Sequence, residues 1–265
     1  MAKKSILETW GISPEYLTEL VNTNPSLRGM IVGYIAERKL REQFEAHKRT
    51  EAHYKDDDHD RTKKGDLVVS YKGESFRIEV KSLQTNAVEV LMPDGQWMKL
   101  MEKKMVGRKA SPGLTKKGKP RLGAGIYKWE LDERYSKLSD AFKRTTDYRG
   151  AFQCDASDRR KVELADGEVV ETTLLKVGEF DILAAGLFGF RGEWEFGFAL
   201  NEDLPRSTHG AYPEEVREQL IASMIPISLP LQAPFVSDPF ELLDKLLERR
   251  HIQAGHTELK EPVET

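Results

Sequence analysis

Asp66, Glu79 and Lys81 are the residues whose types and spacing are best suited to chemistry. Two carboxylates at close range repel each other. A hard divalent cation removes that cost, because Mg²⁺ favours one or two carboxylates together with water and phosphate oxygens. A lysine beside them can position an attacking water or stabilise charge that develops on a phosphate. If the fold brings the three side chains together, they indicate metal-assisted chemistry on a phosphate ester.

A β-hairpin is the element that must position them. Two runs rich in β-branched and aromatic residues flank a turn at Lys72-Gly73, which predicts two paired strands. In this register Asp66 lies opposite Glu79, and Lys81 shares their face. The other face then carries apolar residues that can form a core: Leu67, Val69, Tyr71, Phe76, Ile78 and Val80. The alternative is a solvated hairpin face on which Lys81 simply pairs with Glu79.

A helix upstream supplies a further acid. Residues 27–48 carry apolar side chains at helical spacing, and Glu37 falls inside that apolar stripe. A carboxylate that faces a core costs several kcal/mol unless it is paired or bound to a metal. An ordinary explanation is an ion pair with Arg41, four residues later. The apolar stripe that surrounds the acid consists of Met30, Ile31, Tyr34, Ile35, Leu40 and Phe44.

A helical Glu, then an Asp, then Glu-x-Lys on a hairpin resembles the PD-(D/E)xK nuclease superfamily. The matching residues are Glu37, Asp66 and Glu79-Val80-Lys81, with Gly65 where the name pattern has proline. The resemblance implies an α/β (α+β) fold with a restriction-endonuclease-like core, in which helices flank a central mixed β-sheet. It also implies an Mg²⁺-dependent endodeoxyribonuclease, with Mn²⁺ as a substitute. Asp66, Glu79 and Glu37 would be metal ligands, and Lys81 would act on the attacking water.

A basic segment follows the hairpin. Residues 99–128 contain ten Lys or Arg and one acid, and they are rich in Gly and Pro, so we expect a flexible insertion that binds a phosphate backbone. The alternative is a solvated loop, which is what charge runs usually are. We expect a second contact with DNA from the residues just after the strand predicted over 151–156. The candidate DNA-binding residues are Lys103, Lys104, Arg108, Lys109, Lys116, Lys117, Lys119, Arg121, Arg159 and Arg160.

Further elements complete the expected fold. Helices are predicted from Pro14 to about Asn22, over 132–147 and after Asp238-Pro239. Strands are predicted over 151–156, 179–188 and 194–200, with a hairpin of 161–164 and 169–175 between the first two. Prolines over 225–240 favour an extended strap. An acidic run at 56–60 is a weaker candidate for metal binding.

Composition bounds the class of protein. The 265 residues are 32% charged and 39% apolar, as in an ordinary globular protein, and we expect one nuclease domain over 1–250 with a disordered tail over 251–265. The single cysteine, Cys154, excludes an intrachain disulfide and indicates a reducing, cytoplasmic compartment. No signal peptide is expected, and the longest apolar run, 182–190, is too short to cross a membrane.

Three functions remain open at the level of sequence. The first is a type II restriction endonuclease that acts on double-stranded DNA, as a homodimer if its target is palindromic. The second is a nuclease of the same superfamily that acts in repair, recombination or phage defence. The third is a non-catalytic nucleic-acid-binding protein, in which clustered carboxylates facing phosphates would serve no purpose.

Overall fold

The structure is a computed structural model. It describes residues 4–54, 66–83, 85–108, 113, 114, 116, 119, 123, 125–164 and 167–258. The acidic run at 56–60 lies outside these ranges. Within them the chain is a mixed α+β protein, with helices and several β-sheets.

The helices and strands are as follows. The α-helices are α1 (Ile6–Trp10), α2 (Pro14–Thr23), α3 (Pro25–Ala46), α4 (Glu133–Ser136), α5 (Asp140–Thr145), α6 (Phe188–Arg191), α7 (Glu214–Glu218) and α8 (Pro239–Glu258). The strands are β1 (Ala52–Tyr54), β2 (Leu67–Tyr71), β3 (Glu74–Ser82), β4 (Glu89–Leu91), β5 (Trp97–Lys99), β6 (Met101–Arg108), β7 (Gly125–Leu131), β8 (Tyr148–Gln153), β9 (Asp155–Glu163), β10 (Val169–Leu174), β11 (Ile182–Gly186), β12 (Phe196–Leu200) and β13 (Met224–Leu229).

The predicted helix that carries Glu37 is confirmed as α3. Asn24 caps it by accepting a hydrogen bond from Leu27 N–H, and Ala36, Leu40 and Phe44 are its buried residues. The first half of the predicted apolar stripe does not face the core, since Met30 is 60% exposed. Helical spacing identifies an apolar stripe but not what covers it, so the core contact begins only in the second half of the helix.

A five-stranded mixed sheet of order β1-β2-β3-β11-β12 forms the centre of the fold. The β3–β11 pair is parallel and the other pairs are antiparallel. One face packs on α3 and α8 through the apolar residues of the β2–β3 hairpin. Strand β11 is buried along its whole length, as its continuous apolar sequence predicted.

The other face of the central sheet is covered by a second sheet of order β13-β8-β4-β5 rather than by helices. The predicted helical cover of the central sheet is therefore found on one face, and the second sheet lies on the other. The predicted proline strap is wrong over its first residues, because Met224–Leu229 pairs with β8. Pro226 is tolerated there since β13 is an edge strand, and an edge strand need not donate every ladder hydrogen bond.

Several predicted boundaries change. The single helix expected over 132–147 is divided into α4 and α5, because Ser139 accepts a hydrogen bond from Phe142 N–H and starts a new helix. The predicted hairpin after residue 160 is confirmed as the antiparallel pair β9–β10. The strand predicted over 179–188 is shorter at both ends, since β11 covers Ile182–Gly186 and residue 188 begins α6.

The basic segment is partly ordered, contrary to the expected flexible insertion. Strands β6 and β7 form a two-stranded antiparallel ribbon that continues directly from β5, and its side chains are mostly exposed. At the other end of the chain, α8 continues through Glu258. The disordered tail expected over 251–265 is therefore wrong for its first eight residues, and 259–265 lie outside the described residues. Within the described residues, no helix combines the length and apolar character that crossing a membrane requires.

Candidate active site on the β2–β3 hairpin

The predicted register of the hairpin is confirmed. Tyr71 pairs with Glu74 and Leu67 pairs with Ile78, so Asp66, one residue before β2, lies opposite Glu79. Lys72 and Gly73 both have positive φ angles, 50° and 82°. This is the backbone of a two-residue type I′ turn, which fixes the pairing of the two strands. Because side chains alternate, this register also fixes which residues face the core.

Asp66 is held against β3 by two hydrogen bonds. Its backbone N–H donates to Ile78 O at 3.1 Å, and its Oδ2 accepts from Val80 N–H at 2.7 Å. A residue just outside a strand would otherwise be free to rotate away. These bonds instead orient the carboxylate toward the part of β3 that carries Glu79 and Lys81.

Glu79 and Lys81 form a shielded ion pair. Lys81 Nζ lies 2.7 Å from Glu79 Oε1, and the two side chains are 18% and 10% exposed. Lys81 does pair with Glu79, as the ordinary alternative expected, but the pair does not lie on a solvated face. Burying charges is costly unless they are paired and hydrogen-bonded. Shielding these two charged groups therefore lowers the stability of the fold relative to apolar side chains at the same positions of β3.

The electrostatics of the site follow from this shielding. Burial, and next the charge of Glu79, raise the pKa of Asp66 to about 8, although Lys81 opposes the shift. Burial alone lowers the pKa of Lys81, but the charges of Glu79 and Asp66 outweigh it and raise that pKa above its usual value. At neutral pH the lysine is an ammonium group. Asp66 is a carboxyl group that holds its proton more firmly than usual, and a nearby cation would release it.

Glu37 lies beside this group. It projects from α3, is partly buried, and stands close enough to Asp66 for its charge to raise the pKa of that carboxyl further. The alternative partner considered for it, Arg41, instead forms an ion pair with Glu45 at 3.7 Å. The structure therefore places Asp66 beside Glu79 and Lys81 on the hairpin, and it places Glu37 on α3 near enough for its charge to act on Asp66.

The donor set suits a hard divalent cation. Asp66, Glu79 and Lys81 carry a net charge of −1 when all are ionised, and Glu37 adds a further negative charge nearby. The partly buried carboxylate of Asp66 therefore lacks enough positive charge nearby to ionise readily. Among the described residues, no three His, Cys, Asp or Glu side chains are grouped closely enough to hold a metal ion together. Asp66 and Glu79 would supply two oxygen ligands, and water or phosphate oxygens complete such a set for Mg²⁺.

Replacing Asp66 with asparagine tests the electrostatic cost. Because the folded-state pKa of Asp66 is raised, the stability associated with its proton is present below pH 4 and is lost as the pH rises toward 8. Asparagine keeps the acceptor for Val80 N–H without the charge. At pH 8.5 we expect Asp66→Asn to unfold at a higher urea concentration than wild type. The expected gain in unfolding free energy is about 1–2 kcal/mol, because the Asp66 side chain is only partly buried. At pH 4 the variant and the wild type should differ little in stability.

Asp244→Asn is the control for that measurement. Hydrogen bonds from Lys72 and Tyr71 lower the pKa of Asp244, so neutralising it should destabilise the protein above pH 4 instead of stabilising it. If Asp66→Asn were no more stable than wild type at pH 8.5, the charge on Asp66 would not be a cost to the fold.

The basic residues predicted to bind DNA lie in different surroundings. Lys103 stands over the Tyr127 ring at 4.2 Å, whereas Lys104 pairs with Glu130 at 3.1 Å. Arg108 is exposed at the end of β6, and Lys116 and Lys119 are described only at isolated positions beyond it. Three members of the predicted set lie outside the described residues: Lys109, Lys117 and Arg121.

Arg159 and Arg160 are neighbours in sequence with opposite surroundings. The Arg159 side chain is 75% exposed and pairs with Glu171, which is 45% exposed. Arg160 and its partner Glu179 are each 9% exposed, and their closest approach is 2.8 Å. Arg159 thus has the accessibility expected of a DNA contact. Arg160 is a buried structural charge that ties β9 to Glu179, before β11.

Some positioning residues were missed by the sequence reasoning. Asp181 precedes β11, and its Oδ2 accepts a hydrogen bond from Arg77 N–H at 2.7 Å, while its Oδ1 accepts one from Arg250 at 2.9 Å. These bonds join β11, β3 and α8 next to the site. The sequence does show an acid directly before an apolar strand, which could have drawn attention to Asp181. Its hydrogen-bond partners could not be predicted, because they lie about 70 or more residues away in sequence.

Cys154 was considered only as a compartment marker. Its thiol is fully buried, and burial raises its pKa to about 12, so it remains protonated and is not a nucleophile. Nearby, Asp155 accepts a hydrogen bond from Gln153 at 2.6 Å, although the predicted strand over 151–156 is divided, because Gln153 ends β8 and Asp155 begins β9.

The comparisons with known proteins do not identify a relative. No protein-family model, curated protein or solved structure matches this chain.

Proposed function

We propose that this protein is an Mg²⁺-dependent endodeoxyribonuclease with a PD-(D/E)xK-type site and a restriction-endonuclease-like core. One observation carries the proposal: Glu79 and Lys81 form a shielded ion pair on a strand whose register also fixes Asp66 beside them. A nucleic-acid-binding surface gains nothing from such an arrangement, because buried carboxylates repel phosphates. A site that recruits a divalent cation to a phosphate requires it.

Each residue then has a role that its position permits. Asp66 and Glu79 would hold Mg²⁺, while Glu37 on α3 would add negative charge nearby without being grouped closely enough to share the ion in this structure. When bound, the metal supplies Lewis acidity to the scissile phosphate and lowers the pKa of a water molecule. Lys81, as an ammonium group, orients the attacking water or stabilises negative charge on the phosphate.

The β6–β7 ribbon is the proposed duplex-binding element. A two-stranded antiparallel ribbon is narrow enough to enter the major groove of DNA. Its two faces differ, because Lys103, Tyr127 and Trp129 lie on one face, while Lys104 and Lys128 on the other are both paired with Glu130. The face with Lys103 carries positive charge without a carboxylate and is the one we assign to DNA.

A matched pair of ribbon variants tests this assignment. Lys103→Ala/Arg108→Ala and Lys104→Ala/Lys128→Ala remove the same charge from the same ribbon. We expect the first pair to reduce the slope of log affinity against log salt for duplex DNA by about 2. The second pair should reduce it less, because those lysines are engaged with Glu130. Fluorescence anisotropy without metal measures both, and equal slopes would contradict the choice of face.

Product mapping tests the kind of nuclease. Wild-type protein with Mg²⁺ should convert a long linear duplex into a fixed set of internal fragments, as a sequence-specific restriction enzyme does. Progressive loss from the ends would show an exonuclease, and cleavage only of branched or single-stranded DNA would show a structure-specific nuclease. Either outcome would rule out a restriction enzyme but would leave the proposed catalytic residues unchanged. A palindromic target would in addition require a two-fold dimer.

A further inference from the structure

Residues of β9 and of the segment that follows β10 line a basic pocket that contains none of the acidic residues of the candidate active site. The pocket has a volume of about 440 Å³ and is lined by Arg159, Arg160, Lys161, Lys176, Gly178 and Glu179. Four of these side chains are positive and one is negative, which leaves a charge of +3 on the described lining. Glu171, outside the pocket, pairs with Arg159 and reduces this to +2. Such a charge favours an anion.

The pocket is held in shape by internal bonds. Arg160 and Glu179 are paired at its base, and Glu179 also accepts a hydrogen bond from Lys176 N–H at 3.0 Å. Lys176 Nζ donates to Lys161 O at 3.2 Å, which places the ammonium group over β9. A pocket whose cations are already oriented loses little conformational entropy when it binds a ligand.

Two of its cations are not neutralised by neighbours. Among the described residues, no carboxylate forms an ion pair with Lys161 or with Lys176. Lys161 is exposed to solvent, and Lys176 is partly buried. An ammonium group without a paired carboxylate remains available to a ligand, and lysine is a strong point-charge partner for phosphate oxygens. The exposed Arg159 would add a planar group with several donors.

The pocket also lies near the candidate active site. Glu179 and Asp181 lead directly into β11, and Asp181 N–H donates to Arg77 O on β3 at 2.9 Å, two residues before Glu79. One extended polyanion could therefore reach the pocket and the site together.

We propose that this pocket binds a phosphate group, with Lys161 and Lys176 as the principal contacts. Its ligand is either a backbone phosphate of DNA or a free phosphate, since both present the same oxyanion. The pocket itself is inferred from its own residues. Only the choice of a DNA phosphate as the ligand rests on the proposed nuclease function. In that case the pocket would be a second binding site for the duplex, in addition to the β6–β7 ribbon.

The test measures binding in the full chain without divalent metal. The variant is Lys161→Ala/Lys176→Ala, and Lys161→Arg/Lys176→Arg is the conservative rescue. The charge-matched control is Lys137→Ala/Lys245→Ala, at an exposed position just after α4 and an exposed position on α8. Single Lys161→Ala covers the case in which the double variant folds poorly. The probes are inorganic phosphate, followed by calorimetry, and a labelled duplex, followed by anisotropy.

We expect the double variant to bind duplex about tenfold more weakly, with arginine restoring affinity and the control unchanged. Loss of inorganic phosphate binding as well would identify a site that also takes free phosphate. Loss of duplex binding alone would identify a backbone contact. Wild-type affinity of both alanine variants for both probes would overturn the proposal. Because no cleavage is measured, failure of the pocket and failure of the nuclease assignment are separate results.

Discussion

Replacing Glu79 with glutamine is expected to lower the rate of Mg²⁺-dependent DNA cleavage by at least about 100-fold and to leave metal-free DNA binding within about threefold. Glutamine has nearly the same shape but cannot carry the negative charge that a divalent cation requires. The side chain is only 10% exposed and lies 2.7 Å from Lys81, so it is not a DNA contact in its own right. Cleavage assays and anisotropy with the same duplex separate the two effects.

Glu89 provides the matched control for that substitution. It lies on β4 and accepts a 2.6 Å hydrogen bond from Arg149, so Glu89→Gln also breaks an ion pair formed by a strand glutamate. That variant should cleave at nearly the wild-type rate. If Glu79→Gln cleaved as fast as Glu89→Gln, the metal-ligand assignment would be wrong. If both variants lost DNA binding equally, the defect would be one of folding.

The second large effect is expected on stability. Arg160→Ala removes one partner of an ion pair in which both side chains are 9% exposed, and it leaves the carboxylate of Glu179 without its main partner. Breaking a buried pair in this way costs about 3–5 kcal/mol of unfolding free energy. We expect a loss of that order in urea denaturation at pH 7, with a correspondingly lower midpoint.

The neighbouring arginine makes this prediction specific. Arg159→Ala breaks an exposed pair with Glu171, and exposed pairs contribute about 0–1 kcal/mol. It should therefore leave stability nearly unchanged and reduce DNA binding slightly. Equal unfolding free energies for Arg159→Ala and Arg160→Ala would show that the Arg160–Glu179 pair does not stabilise the fold.

The hairpin could be predicted from sequence because its information is local. A two-residue turn at Lys72-Gly73 and strict alternation fix the register, and the register fixes the shared face of Glu79 and Lys81. The burial of that face could not be predicted. It depends on the second sheet, in which the nearby strands β4 and β5 are joined by β8 and β13 from distant parts of the chain.

The predictions that were wrong relied on local sequence where pairing or packing with other parts of the chain determines the structure. Gly and Pro around residue 110 indicated a flexible arm, yet the β6–β7 pairing satisfies the backbone on either side of that stretch. Pro226 indicated an extended strap, yet an edge position accepts proline. Met30 belongs to an apolar stripe by spacing, yet it is exposed in the described structure. The different environments of Arg159 and Arg160 depend on Glu171 and Glu179, which their own sequence positions do not reveal.

The most direct test of the central claim is cleavage of long duplex DNA by the purified protein, with and without Mg²⁺, beside the Lys81→Ala variant on the same gel. The proposed function predicts discrete fragments that appear only with Mg²⁺ and are lost, by a factor on the order of 100 or more in rate, in the variant. Fragments that persist at the wild-type rate in Lys81→Ala, or that form without any divalent metal, would contradict the assignment of this site as the catalytic centre.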